Sequence, residues 1–407
     1  MKKETNKKIL ILTICIFVLN LLIKGFFVTS RPNSIGPAEI DFISQFPVLK
    51  NFNPYSLRYT IVILSSLFAF FSFILLYRIT KNLLWSFFSG LLLTYSPWIF
   101  ILSRYSNLYI IILSICISAF LFFYKSKLRL VLIFLFAFIS NYLLYQNRMF
   151  KINGLIWDYK SIFRLTDFKN LFFVGDYTSS FIRLPKTGFF LVFEVLVFLY
   201  GFYKLVLEHG NNKIKKIIIE TLIIGIIWFF ITPNDIIVSY KGMFIFFSLS
   251  LVIAFGYSSL IKRKPVLAWV ATFMILFSFI FYQELFYFHF DKKNSGDWGF
   301  AEEKISKMLE KNSQNINSIY VSRDASGFIK YLPLFGKHFK NEKIKFVESD
   351  WIKNETMSKC LEKKTLCIFK EGDLKLANLE KDDVDEKIYY YNGLPAYFII
   401  SKEIFDK

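Results

Sequence analysis

Apolar residues fill nine long stretches of the chain up to residue 282, and a polar, charge-rich segment follows them. Stretches such as LSSLFAFFSFILLY have almost no polar face, whereas helices around a large soluble core alternate apolar and polar sides. A run of roughly 18 or more apolar residues can cross the hydrocarbon layer of a membrane as a helix. The pattern therefore predicts a polytopic α-helical membrane protein with nine spans, at residues 9–28, 60–77, 83–102, 108–123, 130–145, 189–206, 217–231, 243–261 and 266–282.

The composition changes near Gln283, and residues 283–407 are predicted to form a separate α/β domain. Apolar residues recur at helical spacing over residues 298–311. Asn392-Gly393 is typical of a hairpin turn between two strands. Further elements are predicted as a helix at 328–332 and strands at 319–322, 344–347, 366–369, 388–391 and 397–400. The predicted domains are thus 1–282, with external loops 29–59 and 146–188, and 283–407.

Lysine and arginine accumulate in the cytoplasmic loops of membrane proteins. In this chain, alternate loops differ clearly in basic residues, and the N-terminus belongs to the richer set. That set comprises Lys2, Lys3, Lys7, Lys8, Arg78, Lys81, Lys125, Lys127, Arg129, Lys213, Lys215, Lys216, Lys262, Arg263 and Lys264. The pattern predicts a cytoplasmic N-terminus, and it places loop 29–59, loop 146–188 and the C-terminal domain outside the cytoplasm.

The chain has 50 basic and 31 acidic residues, a formal net charge of +19. Nucleic-acid binding is not predicted, because no basic patch with stacking aromatic residues occurs on a soluble segment. The basic residues of the predicted cytoplasmic loops account for much of the excess positive charge. Loop 146–188 is external and still basic, which leaves two interpretations open: a face toward solvent or lipid headgroups, or cations directed at a phosphate.

The cysteines and histidines do not predict a metal centre. Cys15 and Cys116 lie in apolar stretches and are interpreted as packing residues. Cys360 and Cys367 lie close together in the C-terminal domain, where a disulfide and two reduced, strand-buried thiols are both open, since spacing alone does not establish the geometry. The three histidines are scattered and form no ligand pattern.

Several ionisable residues are predicted at the outer membrane face. Glu39 and Asp41 follow the first stretch, where two neighbouring carboxylates can act as a general base and its orienting partner or a metal ligand. The alternative is two solvated loop acids. Arg104 lies in the turn after the third stretch and is either a headgroup anchor or a phosphate ligand. Further candidates on this side are Asp176, Arg183, Lys186 and Lys241.

The segments around these residues resemble bacterial glycosyltransferases of the GT-C superfamily, in the branch related to protein O-mannosyltransferases and lipid A aminoarabinose transferases. The similar segments occur in the same order along the chain: RPNSIGPAEID, SPWIFILSR, NLFFVGDYTSSFIRLPKTGFFLVFEVLVFLYGFYKL, ITPNDIIVSYKGMFIFFSL, and GDWGFAEEKI with INSIYVS. The resemblance implies an enzyme of a bacterial cell membrane that takes a sugar from a polyprenyl-phosphate donor. The acceptor would be an extracytoplasmic protein, lipid or cell-surface glycan.

By this resemblance, Glu39 or Asp41 would remove the acceptor's proton or hold a divalent cation. The expected phosphate ligands are Arg104, Arg183, Lys186 and Lys241, with Asp176 orienting one of them. The family's first loop carries an Asp-Glu pair, which falls here on Ala38-Glu39, so the aspartate is replaced. Either Asp41 or Glu39 has taken over its role, or the protein has lost transfer activity and keeps a lipid-binding shape.

Three hypotheses follow. The first is a glycosyltransferase that uses a polyprenyl-phosphate sugar. The second is a catalytically silent relative that binds lipid-linked sugar or acts as an assembly scaffold. The third, a transporter, is less favoured, because few ionisable residues lie inside the predicted spans. Loss or survival of transfer after replacing Glu39 and Asp41 separates the first two, and a flux assay in proteoliposomes tests the third.

Overall fold

The computed structural model of the protein describes residues 2–28, 34–36, 39–40, 43, 53–104, 108–126, 166–175, 187–207, 212–232, 241–293, 296, 298–335, 339, 341–380 and 384–401. The predicted span 130–145 lies outside the described residues. The chain divides into two compact units, each built from two segments. The helical unit comprises Met1–Thr29 and Tyr55–Tyr287, and the α/β unit comprises Ser30–Pro54 and Phe288–Lys407. Most of loop 29–59, assigned above to the first domain, thus groups with the C-terminal residues.

Apolar helices dominate the described part of the helical unit. They are α1 Lys2–Gly25, α2 Pro54–Thr80, α3 Leu83–Tyr95, α4 Pro97–Leu102, α5 Leu108–Phe122, α6 Glu194–Leu207, α7 Asn212–Ile231, α8 Met243–Arg263 and α9 Pro265–Glu284. Among the described residues, four helical segments are long and apolar enough to span a membrane: Lys7–Gly25, Tyr55–Thr80, Met243–Arg263 and Pro265–Lys292. These helices indicate association with a membrane. Two five-residue π-helices, Asn170–Val174 and Leu285–His289, also occur among the described residues.

Two predicted spans differ from the helices observed. The span 83–102 is interrupted at Ser96, because Pro97 has no N–H and holds the preceding residue in an extended conformation. In the span 189–206, helix α6 begins only at Glu194. The Phe190 N–H donates instead to the Leu171 carbonyl at 2.8 Å, so this part of the segment does not belong to α6.

Helix α8 is the centre of the helical unit. Nearly every residue from Met243 to Leu260 is buried, and α8 packs against α3, α6 and α7. The Trp85 indole donates to the Leu251 carbonyl at 3.1 Å. Helix α9 differs, since large side chains such as Trp269 and Phe273 are exposed along most of its length. An exposed apolar helix beside a buried one is the arrangement expected when lipid replaces water around the protein.

The α/β unit contains a five-stranded mixed sheet, as the sequence predicted. Its strands are β1 Ser318–Ser322, β2 Ile344–Val347, β3 Thr365–Phe369, β4 Glu386–Tyr389 and β5 Pro395–Ile400. The order is β2-β1-β3-β5-β4, in which β1 pairs in parallel with β2 and β3, and β5 is antiparallel to β3 and β4. The predicted hairpin turn is confirmed, with Gly393 at a φ of 83° and the Tyr390 N–H donating to the Leu394 carbonyl.

Helices cover both faces of the sheet. The helices described in this unit are α10 Phe290–Lys293, α11 Phe300–Lys311, α12 Leu332–Phe335, α13 Ser349–Cys360 and α14 Glu371–Leu376, with 3₁₀ turns at Ser326–Tyr331 and Asn341–Lys343. Ile305 and Leu309 of α11 join a core with Ile319 and Leu366, and a second core on the other face contains Ile352, Phe369 and Phe398. Helix α13 was not predicted, since SDWIKNETMSKC has no clear apolar stripe.

Cys360 at the end of α13 and Cys367 in β3 form a disulfide with a Cα–Cα distance of 5.6 Å. Both residues are fully buried. Of the two interpretations that the sequence left open, the structure therefore has the disulfide. Cys15 and Cys116 are free thiols.

The cysteine pairing predicts a thiol count. Maleimide labelling of the denatured, unreduced protein should modify two of the four cysteines, Cys15 and Cys116, because the other two are bonded to each other. After reduction, all four should be labelled. Intact-mass spectrometry gives both counts, and four labelled thiols before reduction would contradict the disulfide.

A second prediction concerns the crossing of α6 and α8, where Gly201 and Gly256 bring the two backbones together. A Cβ atom on Gly201 would lie 2.4 Å from the Val252 carbonyl oxygen, and one on Gly256 would lie 2.2 Å from that of Val197. Small residues permit such approaches between membrane helices. Replacing either glycine with alanine should destabilise the protein by about 1–3 kcal/mol, the usual cost of overpacking.

Thermal unfolding in detergent measures this effect. Gly25→Ala is the matched control, because its Cβ would meet only Val62 Cγ1 at 3.9 Å. An unfolding midpoint that is the same in Gly201→Ala as in the control would mean that the two helices are farther apart than described.

Candidate functional site

Arg104 lies in the turn after α4 and is 1% exposed. Its backbone N–H donates to the Ile101 carbonyl at 3.0 Å, which closes the turn. The guanidinium Nη1 donates to the Lys24 carbonyl at 2.9 Å and to the Tyr287 hydroxyl at 3.2 Å. Aromatic rings surround the cation, with the rings of Phe100, Phe286 and Tyr287 at 5.3, 5.0 and 5.3 Å from Cζ. Arg104 is therefore built into the interior of the helical unit.

A second buried guanidinium, that of Arg58, accompanies Arg104. Arg58 is 0% exposed, its Nη1 donates to the Val28 carbonyl at 3.4 Å, and its guanidinium lies over the Tyr55 ring. Burial lowers the pKa of Arg104 to about 10, and the nearby charge of Arg58 acts in the same direction. Arg104 therefore stays protonated at pH 7. Two cations gather here at the end of α1, where carbonyl groups and the helix dipole present negative charge.

Arg58 was not among the site residues predicted from the sequence. Its position within NPYSLRYTIVIL, two residues before a long apolar run, is the signal that was available. An arginine near the start of an apolar helix is costly to bury, so a fully buried arginine there points to a specific role.

The break at Pro97 determines how Arg104 is placed. In a continuous helix the Leu93 carbonyl would accept from the N–H of residue 97, which proline lacks. The Lys24 ammonium donates to this carbonyl at 2.7 Å and to the Ser65 hydroxyl at 3.2 Å. One turn away, the Asn20 side chain donates to the Thr94 hydroxyl. A line of buried polar contacts thus joins α1 to the end of α3.

An apolar groove of about 170 Å³ adjoins this region of the helical unit. Its walls come from α9 and from residues 187–193, and aromatic side chains dominate them: Phe190, Phe193, Phe277, Phe281 and Tyr282. The Tyr282 ring also contacts the Phe100 ring in edge-to-face geometry at 5.6 Å. Because Phe100 lies directly against Arg104, a single aromatic side chain separates the groove wall from the cation.

Lys241, another predicted phosphate ligand, also belongs to the helical unit. It is 2% exposed, and its ammonium lies 5.4 Å from the centroid of the Phe229 ring in α7. Lys241 thus lies against α7, immediately before α8. Asp41, Asp176, Arg183 and Lys186 lie outside the described residues, so the structure leaves those four predictions as they were.

Glu39 lies in the α/β unit and is 0% exposed. It is part of a short turn in which the Glu39 N–H donates to the Gly36 carbonyl at 3.0 Å. In return, the Gly36 N–H donates to the Glu39 carboxylate at 3.1 Å. This reciprocal pattern resembles one half of a helix capping box. The carboxylate thus stabilises the turn, and the interpretation of Glu39 as a solvated loop acid is wrong.

Residues near the start of α11 hold the segment before Glu39. The Ser34 hydroxyl donates to the Trp298 carbonyl at 2.5 Å, and the Ile35 N–H donates to the Glu303 carboxylate at 3.3 Å. Ile35 and Trp298 are almost fully buried. Two distant sequence segments, RPNSIGPAEID and GDWGFAEEKI, therefore contact each other within one unit.

The α/β unit has a polar cleft of about 420 Å³ that the sequence analysis missed. The cleft lies at the carboxyl ends of the parallel strands, beside β1, where the strand order reverses and open α/β sheets commonly bind ligands. Its lining residues are Ser322, Arg323, Asp324, Val347, Glu348, Asp350, Ile352 and Asp373. The Ser322 hydroxyl donates to Asp373, and Arg323 pairs with Glu348 at 2.7 Å. Within the described part of the chain, no group of acidic, histidine or cysteine side chains has the arrangement of a metal site.

No protein-family model, no curated protein and no solved structure matches this chain. The resemblance of its segments to the GT-C superfamily stays a prediction. The contacts of these segments bear on function. SPWIFILSR contains the helix break and Arg104. RPNSIGPAEID contains Glu39 and contacts GDWGFAEEKI.

Proposed function

We propose that the protein is a membrane glycosyltransferase that moves a sugar from a polyprenyl-phosphate donor to an extracytoplasmic acceptor. The observation that carries this proposal is the aromatic contact, from Tyr282 through Phe100, between the apolar groove and the buried Arg104. A polyprenyl-phosphate sugar consists of a long apolar chain joined to an anionic phosphate. The helical unit offers an apolar groove for the prenyl chain and two guanidinium groups for the phosphate.

The geometry of that wall supports the proposed binding mode. Tyr282 lines the groove and contacts Phe100, and Phe100 lies against Arg104. A prenyl chain in the groove would bring its phosphate toward the end of α1, where Arg58 and Arg104 lie. Arginine suits this role because its planar group can donate to two phosphate oxygens at once. Lys241, Arg183 and Lys186 remain further candidates for phosphate binding, and Asp176 for orienting one of them.

The proposed reaction is a substitution at the anomeric carbon of the sugar. An acceptor hydroxyl forms a new bond to that carbon, and the carbon–oxygen bond to the lipid phosphate breaks. The electron pair passes to the phosphate oxygen, whose growing negative charge the guanidinium groups stabilise. The acceptor's proton passes to a carboxylate, for which Asp41 and Glu39 are the candidates. As an alternative to accepting the proton, the same carboxylates would bind a divalent cation.

The proposed membrane arrangement has nine spans, a cytoplasmic N-terminus and an extracytoplasmic α/β unit in a bacterial cell membrane. The Cys360–Cys367 disulfide supports this orientation, because disulfides persist in oxidising compartments and are rare in the cytosol. The basic residues of the predicted cytoplasmic loops, such as Lys262 and Arg263 at the end of α8, support it as well.

A second candidate function is a catalytically silent relative that binds a lipid-linked sugar or serves as an assembly scaffold. One observation favours it: the Glu39 carboxylate already accepts the Gly36 N–H, which is a structural role. Ala38 replaces the aspartate expected beside it. The groove and the arginines would serve this function equally well, so only measured transfer separates the two candidates.

The arginine pair gives the sharper test of donor binding. Arg104→Ala should lower kcat/KM for a panel of polyprenyl-phosphate sugars by roughly 100-fold or more, the usual effect of removing one donor to a developing anion. The kcat/KM of Arg104→Lys should lie between those of the alanine variant and the wild type, because lysine keeps the positive charge but cannot donate to two phosphate oxygens in the planar geometry of arginine. Arg78→Ala is the matched control, because Arg78 is exposed in the last turn of α2. Equal loss in the control and in Arg104→Ala would contradict phosphate binding.

The carboxylates provide a separate test of catalysis. Replacing Glu39 and Asp41 together by glutamine and asparagine should abolish transfer and leave binding of the donor lipid intact, because the amides keep the size and lose the proton acceptor. A radiolabelled donor measures both properties. Transfer that survives the double replacement would exclude these residues as the base. Absence of transfer in the wild type, with the donor still bound, would instead favour the silent relative.

A further inference from the structure

The segment that carries Glu39 is held by residues from the C-terminal part of the chain as well as by its own hydrogen bonds. Ser34, Ile35, Ile40 and Ile43 are buried within the α/β unit. Residues near the start of α11 bind this segment. The Ser34 hydroxyl donates to the Trp298 carbonyl, and the Ile35 N–H donates to the Glu303 carboxylate. Ile35 immediately precedes Gly36, whose N–H the Glu39 carboxylate accepts. Two consecutive N–H groups thus donate to the two carboxylates, that of Ile35 to Glu303 and that of Gly36 to Glu39.

Glu303 is itself rigidly placed. It lies in the first turn of α11, is 6% exposed, and its N–H donates to the Gly299 carbonyl at 2.9 Å. Gly299 adopts a φ of 64°, and a Cβ atom at this position would collide with the Tyr331 hydroxyl. One carboxylate oxygen accepts the Lys307 ammonium at 2.5 Å, and the other accepts the Ile35 N–H. A helix start of this kind is a fixed platform for the loop.

We infer that Glu303 is a positioning residue that orients the Gly36–Ile40 turn, and with it the candidate base, in the sugar-transfer reaction. This inference rests on the proposed function and adds a residue from the far end of the chain to it. Among the contacts that the structure describes, Glu303 acts on the turn by accepting the Ile35 N–H. Its contribution should therefore survive in a side chain that keeps an acceptor oxygen at the same place, with or without the negative charge.

The test uses the full-length protein in detergent and compares Glu303→Ala with Glu303→Gln. Hydrogen exchange followed by mass spectrometry should show exchange of the segment around Ile35 faster by roughly tenfold in the alanine variant, since a lost hydrogen bond from a buried amide lowers the local opening free energy. The glutamine variant should exchange like the wild type, because its carbonyl oxygen accepts the same N–H. Lys304→Ala, an exposed neighbour on the same helix, is the matched control.

Transfer kinetics provide the second measurement. Glu303→Ala should lower kcat and leave the KM for the donor lipid unchanged, and Glu303→Gln should restore most of kcat. Unchanged exchange in the alanine variant, no rescue by glutamine, or faster exchange with an unchanged kcat would each overturn the inference. Should Glu303→Ala not fold, Ser34→Ala removes the neighbouring anchor and should accelerate exchange in the same segment, and unchanged exchange there would overturn the inference.

The exchange measurement keeps the two proposals apart. If the wild type shows no transfer with any donor, the proposed function fails. Exchange around Ile35 then still decides whether Glu303 holds the turn, and absence of an effect there overturns the inference whatever the activity.

Discussion

The carbonyl group of Leu93 is the point on which the arrangement of the helical unit depends. In an apolar environment a backbone carbonyl must find a donor, since no water is present to supply one. Pro97 removes the donor that a continuous helix would offer, and the Lys24 ammonium replaces it. The chain can therefore change direction between α3 and α4 at little cost. That change brings Phe100 and Arg104 to the end of α1, and the position of the cation follows from the position of the proline.

Aromatic side chains then give this cation its surroundings. Phe100, Phe286 and Tyr287 lie around the guanidinium of Arg104, and Tyr282 extends the same aromatic wall to the groove beside α9. Cation–π contacts of this kind stabilise a buried charge without neutralising it. The positive charge is thus held in the interior, close to a groove whose walls are mainly apolar. A ligand that is apolar along most of its length and anionic at one end matches both properties.

The sequence allowed much of the fold to be predicted, because its signals were local. Long apolar runs indicated the helices of the helical unit, and short β-prone runs with Asn392-Gly393 indicated the mixed sheet. The break before Pro97 was missed, although proline gives a local signal, because the flanking residues are apolar enough to hide it. Helix α13 was missed because its burial depends on contacts with strands that are distant in sequence.

The candidate site was predictable only in part. The sequence indicated Arg104 and Glu39 by their neighbours, and both proved to be buried. It could not indicate Arg58 as the companion of Arg104, since that relation exists only once α1, α2 and α4 have packed. Nor could it show that Glu303 accepts the Ile35 N–H, because no pattern in one segment reports a partner far along the chain.

The α/β unit is discontinuous, and this has a consequence for biosynthesis. A ribosome completes Ser30–Pro54 long before it reaches Phe288–Lys407, so the earlier segment emerges without the neighbours that later enclose it. Contacts between such distant parts of a chain form late and slowly, because a long loop must close first. The whole of Tyr55–Tyr287 is synthesised in the meantime. The turn around Glu39 is thus among the last parts of the molecule to mature, and a truncated chain would leave it exposed to proteases and chaperones.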